Sequence, residues 1–296
     1  MKRKLAVLII MLFVFLGGVG TYAYTRVKAA MDQMYSQVDQ EAIRDEDLAL
    51  GGTPFSILLL GIDRTAKRDS GRSDTMIVAT VNPQKQSIIL QSIERDTLVE
   101  IVGMGFEDKI NHAYAYGGAE MAINTVQQFL EVPIDYYVEM DMKGLKSLID
   151  AVGGIAITND RFEFEYEGNY FPMGKLHLNG SEALAYSRMR YEDPEGDYGR
   201  QIRQRQIITA LIKKGSTFQL TRYESILAAL GSHMKTNLKL GDMIDISTRY
   251  HPALKLIEEY SLHGDNTIID GVFYLKVNEE QRLEAVQRLR THLELE

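Results

Sequence analysis

Short apolar runs with strand-like character alternate along the chain with longer segments whose apolar residues recur three and four positions apart. Phe55–Asp63 is an apolar run that ends in Gly-Ile-Asp, and it predicts a buried strand that delivers Asp63 to a loop. The β-branched runs at 75–83 and 87–93, joined by residues 82–86, predict a hairpin. The same patterns predict four further strands, at 135–141, 155–158, 258–263 and 272–276.

Helices are predicted where apolar residues recur at helical spacing and where glycine or proline bounds the segment. Four of them lie in the first two thirds of the chain, at 119–130, 142–154, 180–188 and 199–214. Further helices are predicted near 221–230, near 240–250 and at 278–295. Because strands alternate with helices, the predicted fold class is α/β, a single α/β/α sandwich with a central mixed sheet. We expect residues 53–296 to form one domain.

The first residues predict a membrane anchor. Lys2, Arg3 and Lys4 precede an apolar run at 5–24 that carries no charge. A helix of this length spans about 30 Å, the hydrocarbon thickness of a bilayer. A positive flank stays in the cytoplasm, so we expect residues 1–4 inside and the rest of the chain outside, as a single-pass type II membrane protein. A cleaved signal peptide is the alternative, and it also exports the protein.

The composition of the chain limits how the part after the predicted anchor can be built and stabilised. The polar, helix-permissive segment 25–52 ends in two glycines, which predicts a stalk that lifts the domain off the membrane. The chain has no cysteine, which excludes disulfides, thiolate metal ligands and a thiol nucleophile. Ordinary core burial must therefore stabilise the exported domain, and the hydrophobic content of 45% is sufficient for it.

An arginine-rich stretch at 186–206 stands out in a chain whose formal net charge is -8. The stretch contains five arginines and four acidic residues, so its own net charge is only +1. This balance argues against a surface for nucleic acid, which needs an excess of positive charge. Guanidinium groups match phosphate oxygens in shape, so the stretch predicts a site for one compact anion. A solvated helix face with internal ion pairs is the alternative.

Spacing within this stretch orders the side chains. Three residues at helical spacing share one face of the predicted helix: Arg200, Arg203 and Gln204. Arg188 and Arg190 are two positions apart, and both point to one side of an extended backbone. Arg205 points elsewhere, and we expect it to be solvated.

Charged residues also follow the predicted strands. Asp63 and Asp74 flank the loop after the first strand, where paired aspartates can hold Mg²⁺ with phosphate completing its shell. Alternatively, Asp63 is a turn residue and Asp74 caps the next strand. Arg95 and Asp96 come just beyond the third strand, at the same end of the sheet as Asp63. The segment 109–118 precedes a predicted helix whose first N–H groups can accept an anion, with an ordinary loop as the alternative.

The chain resembles the LytR–CpsA–Psr phosphotransferases of bacterial cell envelopes. The resemblance lies in separated motifs between about residues 55 and 214: LLLGIDR, GRSDTM, SIERDT, KINHAYAYGG, IDYYVEMD, GKLHLNGSEALAYSRMRY and DPEGDYGRQIRQRQ. The short positive start, the single anchor and the external domain also match that family. Glu94 stands where relatives often carry proline, and Arg95 and Asp96 remain in place.

The resemblance implies a transferase activity. Family members move a phosphorylated glycopolymer, such as wall teichoic acid or capsule, from an undecaprenyl-diphosphate carrier to peptidoglycan. The implied acceptor is the C6 hydroxyl of N-acetylmuramic acid, and the implied product is polyprenyl phosphate. The implied cofactor is Mg²⁺, with Mn²⁺ as an alternative. The implied partners are the lipid-linked glycopolymer, peptidoglycan and the cell membrane of a Gram-positive-type envelope, with no nucleic acid.

The resemblance also implies roles for single residues. Asp63 and Asp74 correspond to the aspartates of the magnesium–diphosphate unit, and Asp197 matches an acidic position of the family before a Gly-Arg pair. The diphosphate pocket corresponds to Arg95, Lys109, Arg188, Arg190, Arg200 and Gln204. We add Arg203 to the diphosphate-binding set, and we expect Arg95 to lie closest to the transferred phosphoryl group, where it stabilises charge.

The sequence does not decide which residue is the general base or which class of function the protein has. Asp74 and Asp96 are both candidates for the catalytic base. The alternative function is a membrane-anchored protein that binds polyprenyl phosphates or scaffolds envelope assembly without catalysis. A transcriptional regulator is disfavoured, because the residues at 1–4 are too few for a DNA-reading motif. The sequence contains no Gly-x-Ser-x-Gly elbow and no histidine pair at i, i+4, which argues against a serine hydrolase and a helical zinc site.

Overall fold

The structure is a computed structural model that describes residues 25, 27–39, 44, 48, 50–63, 71–215, 226 and 230–295. A six-stranded sheet forms its centre. The strands of this sheet are β1 (Phe55–Asp63), β2 (Arg72–Asn82), β3 (Ser87–Ile93), β6 (Tyr136–Asp141), β11 (Met234–Thr236) and β12 (Leu256–Ser261). They are arranged in the order β11-β6-β1-β2-β3-β12.

The central sheet is mixed. β1 pairs antiparallel with β2 and parallel with β6. β2 and β3 form the predicted hairpin, in which Asn82 lies opposite Ser87, and β12 pairs parallel with β3. The structure therefore confirms the predicted α/β class and its central mixed sheet.

Two-stranded sheets and helices surround the centre. The small sheets are β4 (Leu98–Glu100) with β5 (Glu107–Lys109), β7 (Ile155–Asn159) with β10 (Gly174–Leu178), β8 (Phe164–Tyr166) with β9 (Asn169–Phe171), and β13 (Gly264–Ile269) with β14 (Val272–Val277). The helices are α1 (Ile110–Leu130), α2 (Met142–Ala151), α3 (Gly180–Arg188), α4 (Asp197–Gly215), α5 (Leu240–Arg249) and α6 (Glu279–His292), with a 3₁₀ helix at His251–Lys255. Strands of three residues are too short to show an alternating pattern, so the sequence does not predict β4, β5, β8 and β9.

Helices pack on both faces of the central sheet. Met76 and Val78 of β2 contribute to a core with α1 and α6, whereas Ile77 and Ala79 contribute to a core with α4 and α5. A strand buried on both faces reads as a continuous apolar run, which is how β2 appears in the sequence. A third core, around the aromatic ring of Tyr186, joins α2, α3 and α4 to the small strand pairs β7–β10 and β8–β9.

α1 contains the predicted helix 119–130 and a helical segment before it that the sequence does not predict. The earlier segment starts at Ile110, and a kink separates it from the predicted helix. Gly117 and Gly118 have non-helical backbone angles at this kink, and φ of Gly118 is +67°. The glycine pair therefore precedes the predicted helix as expected, whereas most of the predicted loop 109–118 is helical.

The N-terminal region differs from a free stalk. Residues 5–24, the predicted anchor, and most of the predicted helix near 221–230 lie outside the described residues. Within the part of the chain that the structure describes, no helix is both long enough and apolar enough to span a bilayer. Residues 27–34 are helical, and Met31 and Met34 are buried in a small core with Leu230. The described part of segment 25–52 thus packs against the domain, where the sequence predicts a spacer.

Candidate active site

A charged cluster lies at one end of the central sheet, where β2 begins and β3 ends. The register of β1 and β2 shifts at Asp74, since Gly61 pairs with Thr75 and Ile62 pairs with Ser73. Such a bulge re-aims the side chain of the unpaired residue. The Asp74 Oδ1 atom lies 3.1 Å from Arg95 Nη1 and accepts a hydrogen bond of 3.2 Å from Asn111 Nδ2.

A second ion pair adjoins the first. Lys109 Nζ lies 2.6 Å from Asp96 Oδ1, and Arg95 Nε lies 3.5 Å from Asp96 Oδ2. Lys109 is the residue before α1, and its ammonium group also lies within 6 Å of the ring centres of Phe273 (5.9 Å) and Tyr274 (5.6 Å). Asp96 therefore holds two cations of the cluster in place.

The loop between α3 and α4 supplies the other half of the cluster. Arg200 Nη2 lies 2.6 Å from Asp197 Oδ1, and Arg190 Nε lies 3.3 Å from the same oxygen. Burial would raise the pKa of Asp197, but the adjacent Glu94 carboxyl group, and then the charges of Arg200, Arg190 and Arg95, lower it. Arg95 thus lies between Asp74 and Asp197 and links the two halves.

Glu94 is an acidic residue of this cluster that was not predicted as a site residue. Its side chain is buried, its Oε2 accepts a hydrogen bond of 2.5 Å from the backbone N–H of Asp96, and its carboxyl group lies beside that of Asp197. Burial, and then the contact with Asp197, raise the pKa of Glu94 to about 9. Two adjacent buried carboxyl groups repel each other when both are ionised, so Glu94 stays neutral and Asp197 carries the charge.

The cluster has more positive than negative side chains, which favours the binding of one more anion. Burial alone would lower the pKa of Arg95, but the nearby carboxylates of Asp74, Asp96 and Asp197 raise it above its usual value. All guanidinium groups remain charged in any case. Because Glu94 is neutral, the cations Arg95, Lys109, Arg190 and Arg200 outnumber the ionised carboxylates Asp74, Asp96 and Asp197. An anion that approaches these partly buried side chains gains attraction that water screens only weakly.

Arg203 does not join the cluster, although the sequence predicts it there. Its side chain is 1% exposed, and it donates hydrogen bonds to Asp193 and to the backbone oxygen of Met189. Its guanidinium also lies 5.5 Å from the ring centre of Phe164. A fully buried arginine with its own carboxylate holds the loop between α3 and α4 in place, and it is not available to a ligand. The shared helix face of Arg200 and Arg203 therefore does not predict a shared binding site, because the two side chains contact different groups.

The expectation that Arg205 is solvated is also wrong. Its side chain is buried, not solvated, and Nη1 donates hydrogen bonds to the hydroxyl groups of Ser92 and Ser261. Burial lowers the pKa of Arg205, and the nearby carboxylate of Glu259 opposes this effect. Arg205 thus fastens α4 to β3 and β12.

Among the described residues, no ion pair joins Arg188, Gln204 or Asp63 to the cluster. Arg188, at the end of α3, pairs with Glu167 at 3.0 Å and is nearly half exposed. Gln204 is partly buried in α4, one turn after Arg200. Asp63 ends β1 and lies opposite Arg72, two residues before Asp74.

The acidic residues at this end of the sheet have oxygen atoms suited to a hard cation. Within the described ranges, no group of three or more His, Cys, Asp or Glu residues could hold a metal ion without other ligands. Mg²⁺ usually binds through one or two carboxylates together with phosphate oxygens of the substrate. Asn111 Oδ1, next to Asp74, is buried and has no hydrogen-bond partner among the described residues. Carboxylate and amide oxygens are ligand types that Mg²⁺ accepts, and phosphate oxygens would have to complete the shell.

Comparison with known proteins agrees with the motifs that form this cluster. The model of the LytR_cpsA_psr family matches residues 20–291. The chain belongs to the LytR–CpsA–Psr family. The match extends well beyond the motif-bearing core at about 55–214, so β13, β14 and most of α6 are part of the family domain.

Individual relatives of this LytR–CpsA–Psr protein match along most of the chain. The polyisoprenyl-teichoic acid–peptidoglycan teichoic acid transferase TagU of Bacillus cereus (strain AH820) is 44% identical over 304 aligned positions, covering 100% of this chain and 99% of that protein. A crystal structure of a transcriptional regulator from Enterococcus faecalis is 45% identical with a TM-score of 0.75, covering 82% of this chain and 89% of that chain. A structure of TagT bound to LIIa-WTA is 30% identical with a TM-score of 0.74, covering 87% of this chain and 97% of that chain.

Proposed function

We propose that this protein transfers a phosphorylated glycopolymer from a polyprenyl-diphosphate carrier to peptidoglycan. The Bacillus cereus relative, which is similar over its full length, is named as a transferase of teichoic acid to peptidoglycan. The similar TagT structure is named as a complex with LIIa-WTA. A wall teichoic acid or a similar polymer is therefore the proposed donor, and the C6 hydroxyl of N-acetylmuramic acid is the proposed acceptor.

One observation carries this proposal. Cationic side chains from three separate chain segments converge around Asp74 and Asp197 at one end of the central sheet. A diphosphate presents several anionic oxygens within a few ångströms, and guanidinium groups bind such oxygens in pairs. The carboxylates fix the cations before the ligand arrives, so little reorganisation is needed when charge shifts during phosphoryl transfer.

The geometry suggests a role for each cation. Arg95 lies between the two halves of the cluster, so we place the transferred phosphoryl group against it. Arg190 and Arg200, held by Asp197, bind the diphosphate from one side, and Lys109 binds it from the other. The acceptor hydroxyl attacks the phosphorus next to the sugar, the bond from that phosphorus to the bridging oxygen breaks, and polyprenyl phosphate leaves. The arginines stabilise the charge on the equatorial and leaving oxygens.

Asp74 is the better candidate for the general base. Asp96 is nearly buried and is engaged by both Lys109 and Arg95, so we assign it to holding these cations. Asp74 is more exposed, and among the described residues its ion pair and its hydrogen bond both involve Oδ1. A carboxylate oxygen that faces the ligand can accept the proton of the acceptor hydroxyl.

Mg²⁺ is the proposed cofactor, with Mn²⁺ as an alternative. Asp63 and Asp74 would hold the ion, with Asn111 Oδ1 nearby and the diphosphate supplying the remaining oxygens, and Asp74 acts as the base only when the ion does not engage both of its oxygens. The ion would neutralise charge on the diphosphate oxygens. Arg188 and Gln204 remain proposed contacts for outer parts of the donor. Arg203 is instead assigned to holding the loop between α3 and α4 in place.

We also propose that the protein acts at the outer face of the cell membrane as a single-pass type II protein. The apolar run at 5–24 and the positive residues before it support this location. The donor lipid and peptidoglycan meet on that side of the membrane. No partner made of nucleic acid is proposed, because the cationic cluster is small and the chain as a whole is acidic.

Arg95→Ala tests the proposed activity. The variant loses the guanidinium that links the two halves of the cluster, so we expect transfer to fall by about 100-fold or more. The measurement is incorporation of a radiolabelled lipid-linked polymer into peptidoglycan by the purified full-length chain with Mg²⁺.

A surface arginine provides the matched control. Arg249→Ala removes the same group from α5, where the side chain is 59% exposed and pairs with Asp245 on its own helix. This control should retain the activity and the thermal stability of the unmodified chain. Normal transfer by Arg95→Ala, or equal losses in both variants, would contradict the proposal.

A further inference from the structure

The hairpin of β13 and β14 has an apolar tip. The two strands pair antiparallel, with Ile268 opposite Phe273 and Ile269 opposite Val272. Asp270 and Gly271 form the turn, and both have positive φ, +50° and +80°, as a tight two-residue hairpin turn requires. Two residues on each side of the turn are therefore large and apolar.

These apolar side chains lie at the surface. Ile268 is 74% exposed, and Ile269, Val272 and Phe273 are each about two-fifths exposed. By contrast, Leu275, further down β14, is buried. A soluble surface rarely presents a contiguous apolar group of this kind without a partner. The tip thus projects from the domain, whereas the base of the hairpin is packed.

The base of the hairpin is fastened to the charged cluster. The backbone N–H of Leu275 donates a hydrogen bond of 2.9 Å to the backbone oxygen of Asp96, and Thr97 forms a β-bridge with Leu275. Lys109 Nζ lies 5.9 Å from the ring centre of Phe273. The apolar tip is thus held at a fixed position beside the pocket that we propose for the diphosphate.

We infer that this tip inserts into the interfacial layer of the membrane that contains the lipid donor, and so sets the charged pocket at the level of the lipid diphosphate. The inference rests on the proposed function. A diphosphate attached to a polyprenyl chain lies at the boundary between headgroups and acyl chains. Amphipathic elements bury their apolar residues about 5–10 Å into that boundary. A pocket directly beside the tip is therefore at the depth of the group that it must bind.

Chemistry favours a membrane over other partners. Asp270 is the only residue with a formal charge between positions 266 and 275, and the side chains around it are aliphatic or aromatic. A glycan would need hydrogen-bonding groups at the tip, which Ile268, Ile269 and Val272 do not offer. The proposed anchor at 5–24 would tie the chain to a bilayer, so a second, shallow contact would cost little additional entropy of association.

Tryptophan fluorescence can measure insertion directly, because the chain contains no tryptophan. Ile268→Trp introduces a single fluorophore at the tip of the full-length protein, which is reconstituted in phosphatidylcholine vesicles. We expect blue-shifted emission, and quenching by at least about half when brominated phosphatidylcholine replaces the ordinary lipid. The matched control is Ile244→Trp in α5, an apolar position of similar exposure (54%), which should remain unquenched. Equal quenching at both positions, or none at Ile268→Trp, would overturn the inference.

Other occupants of the tip give different results in the same assay. A shift in Ile268→Trp emission on adding peptidoglycan fragments without any response to brominated lipid would indicate a glycan site. An emission shift that depends only on protein concentration would indicate self-association. Either result would replace the membrane by another partner.

A transfer assay separates this inference from the proposed function. The double variant Ile268→Asn and Ile269→Asn should transfer polymer from a long-chain donor in vesicles about tenfold more slowly. It should match the unmodified chain with a water-soluble, short-chain polyprenyl-diphosphate donor. Equal losses with both donors would show that the tip acts through the fold, and would contradict membrane seating. If the unmodified chain transfers with neither donor while brominated lipid still quenches Ile268→Trp, the proposed function fails and the membrane contact stands.

Discussion

Glu94 shows how one buried proton can organise several charged side chains. Its carboxyl group contacts Asp197, which in turn holds Arg190 and Arg200. An ionised Glu94 would place a second negative charge beside Asp197 without a cation of its own. The sequence alone does not indicate this role, because an acidic residue next to an arginine and an aspartate looks like an ordinary exposed strand end.

Glu94→Gln tests whether Glu94 is neutral. In the folded protein the pKa of Glu94 is about 9, above the ordinary value of 4.5, so the folded state binds the proton more tightly. This contribution to stability is fully present below the ordinary value and is lost as pH rises towards 9. Glutamine keeps a donor for Asp197 and an acceptor for the Asp96 N–H, but it does not titrate. We expect its free energy of unfolding to fall less between about pH 5 and pH 9, by on the order of 2 kcal/mol.

Urea denaturation across this pH range measures the effect. Glu163→Gln is the control, because Glu163 is exposed and its side chain hydrogen-bonds the hydroxyl of Tyr170 at the surface. The control should follow the pH dependence of the unmodified chain. A Glu94→Gln variant with that same pH dependence would show that Glu94 is ionised in the folded protein.

At the scale of whole elements, sequence patterns predict the long strands and most helices, but they miss a helical segment that depends on packing. β1, β2 and β3 follow their apolar runs, because strands buried on both faces need continuous hydrophobic residues. The helix after Gly118 was predicted, and the glycine pair does interrupt the helical backbone, but the helical segment before it was not predicted. Packing of Ile110, Ala113 and Tyr114 into the main core stabilises the extra helical residues before the kink. Local sequence cannot reveal that tertiary contribution.

Gly118→Ala tests the strain at the kink. Gly118 has φ +67° and ψ -154°, a combination that essentially only glycine adopts, and a methyl group there would meet no neighbouring atom. Backbone strain alone should therefore lower the free energy of unfolding, by about 1–3 kcal/mol. Thermal unfolding of the full-length chain provides the measurement.

Gly241 in α5 offers the opposite case. It has no positive φ, and a methyl group there also meets no neighbouring atom. Gly241→Ala should leave stability unchanged or raise it by about 0.5–1 kcal/mol, because alanine favours a helix. Similar effects of the two substitutions would argue against strain at Gly118.

For the whole molecule, the fold brings together charges that are far apart in sequence. Asp74, Arg95, Arg190 and Arg200 come from two strand ends and from the segment before and within α4, and they meet at one end of the sheet. The sequence predicts this convergence, since its strands and motifs place Arg95 and Asp74 at one sheet edge. It does not separate Arg203 from Arg200, because helical spacing fixes the direction of a side chain and not its partner. The buried Asp193 decides that outcome, and only packing reveals it.

The central claim is that this cluster binds a lipid diphosphate and catalyses transfer from it. The most direct measurement is the appearance of polyprenyl monophosphate, detected by mass spectrometry, when the full-length chain is incubated with a lipid-diphosphate-linked polymer, Mg²⁺ and peptidoglycan. We predict that monophosphate accumulates only when peptidoglycan is present, in an amount equal to the polymer attached. A lipid diphosphate that remains bound and intact under these conditions would contradict the account, because the protein would then be a binder without transferase activity.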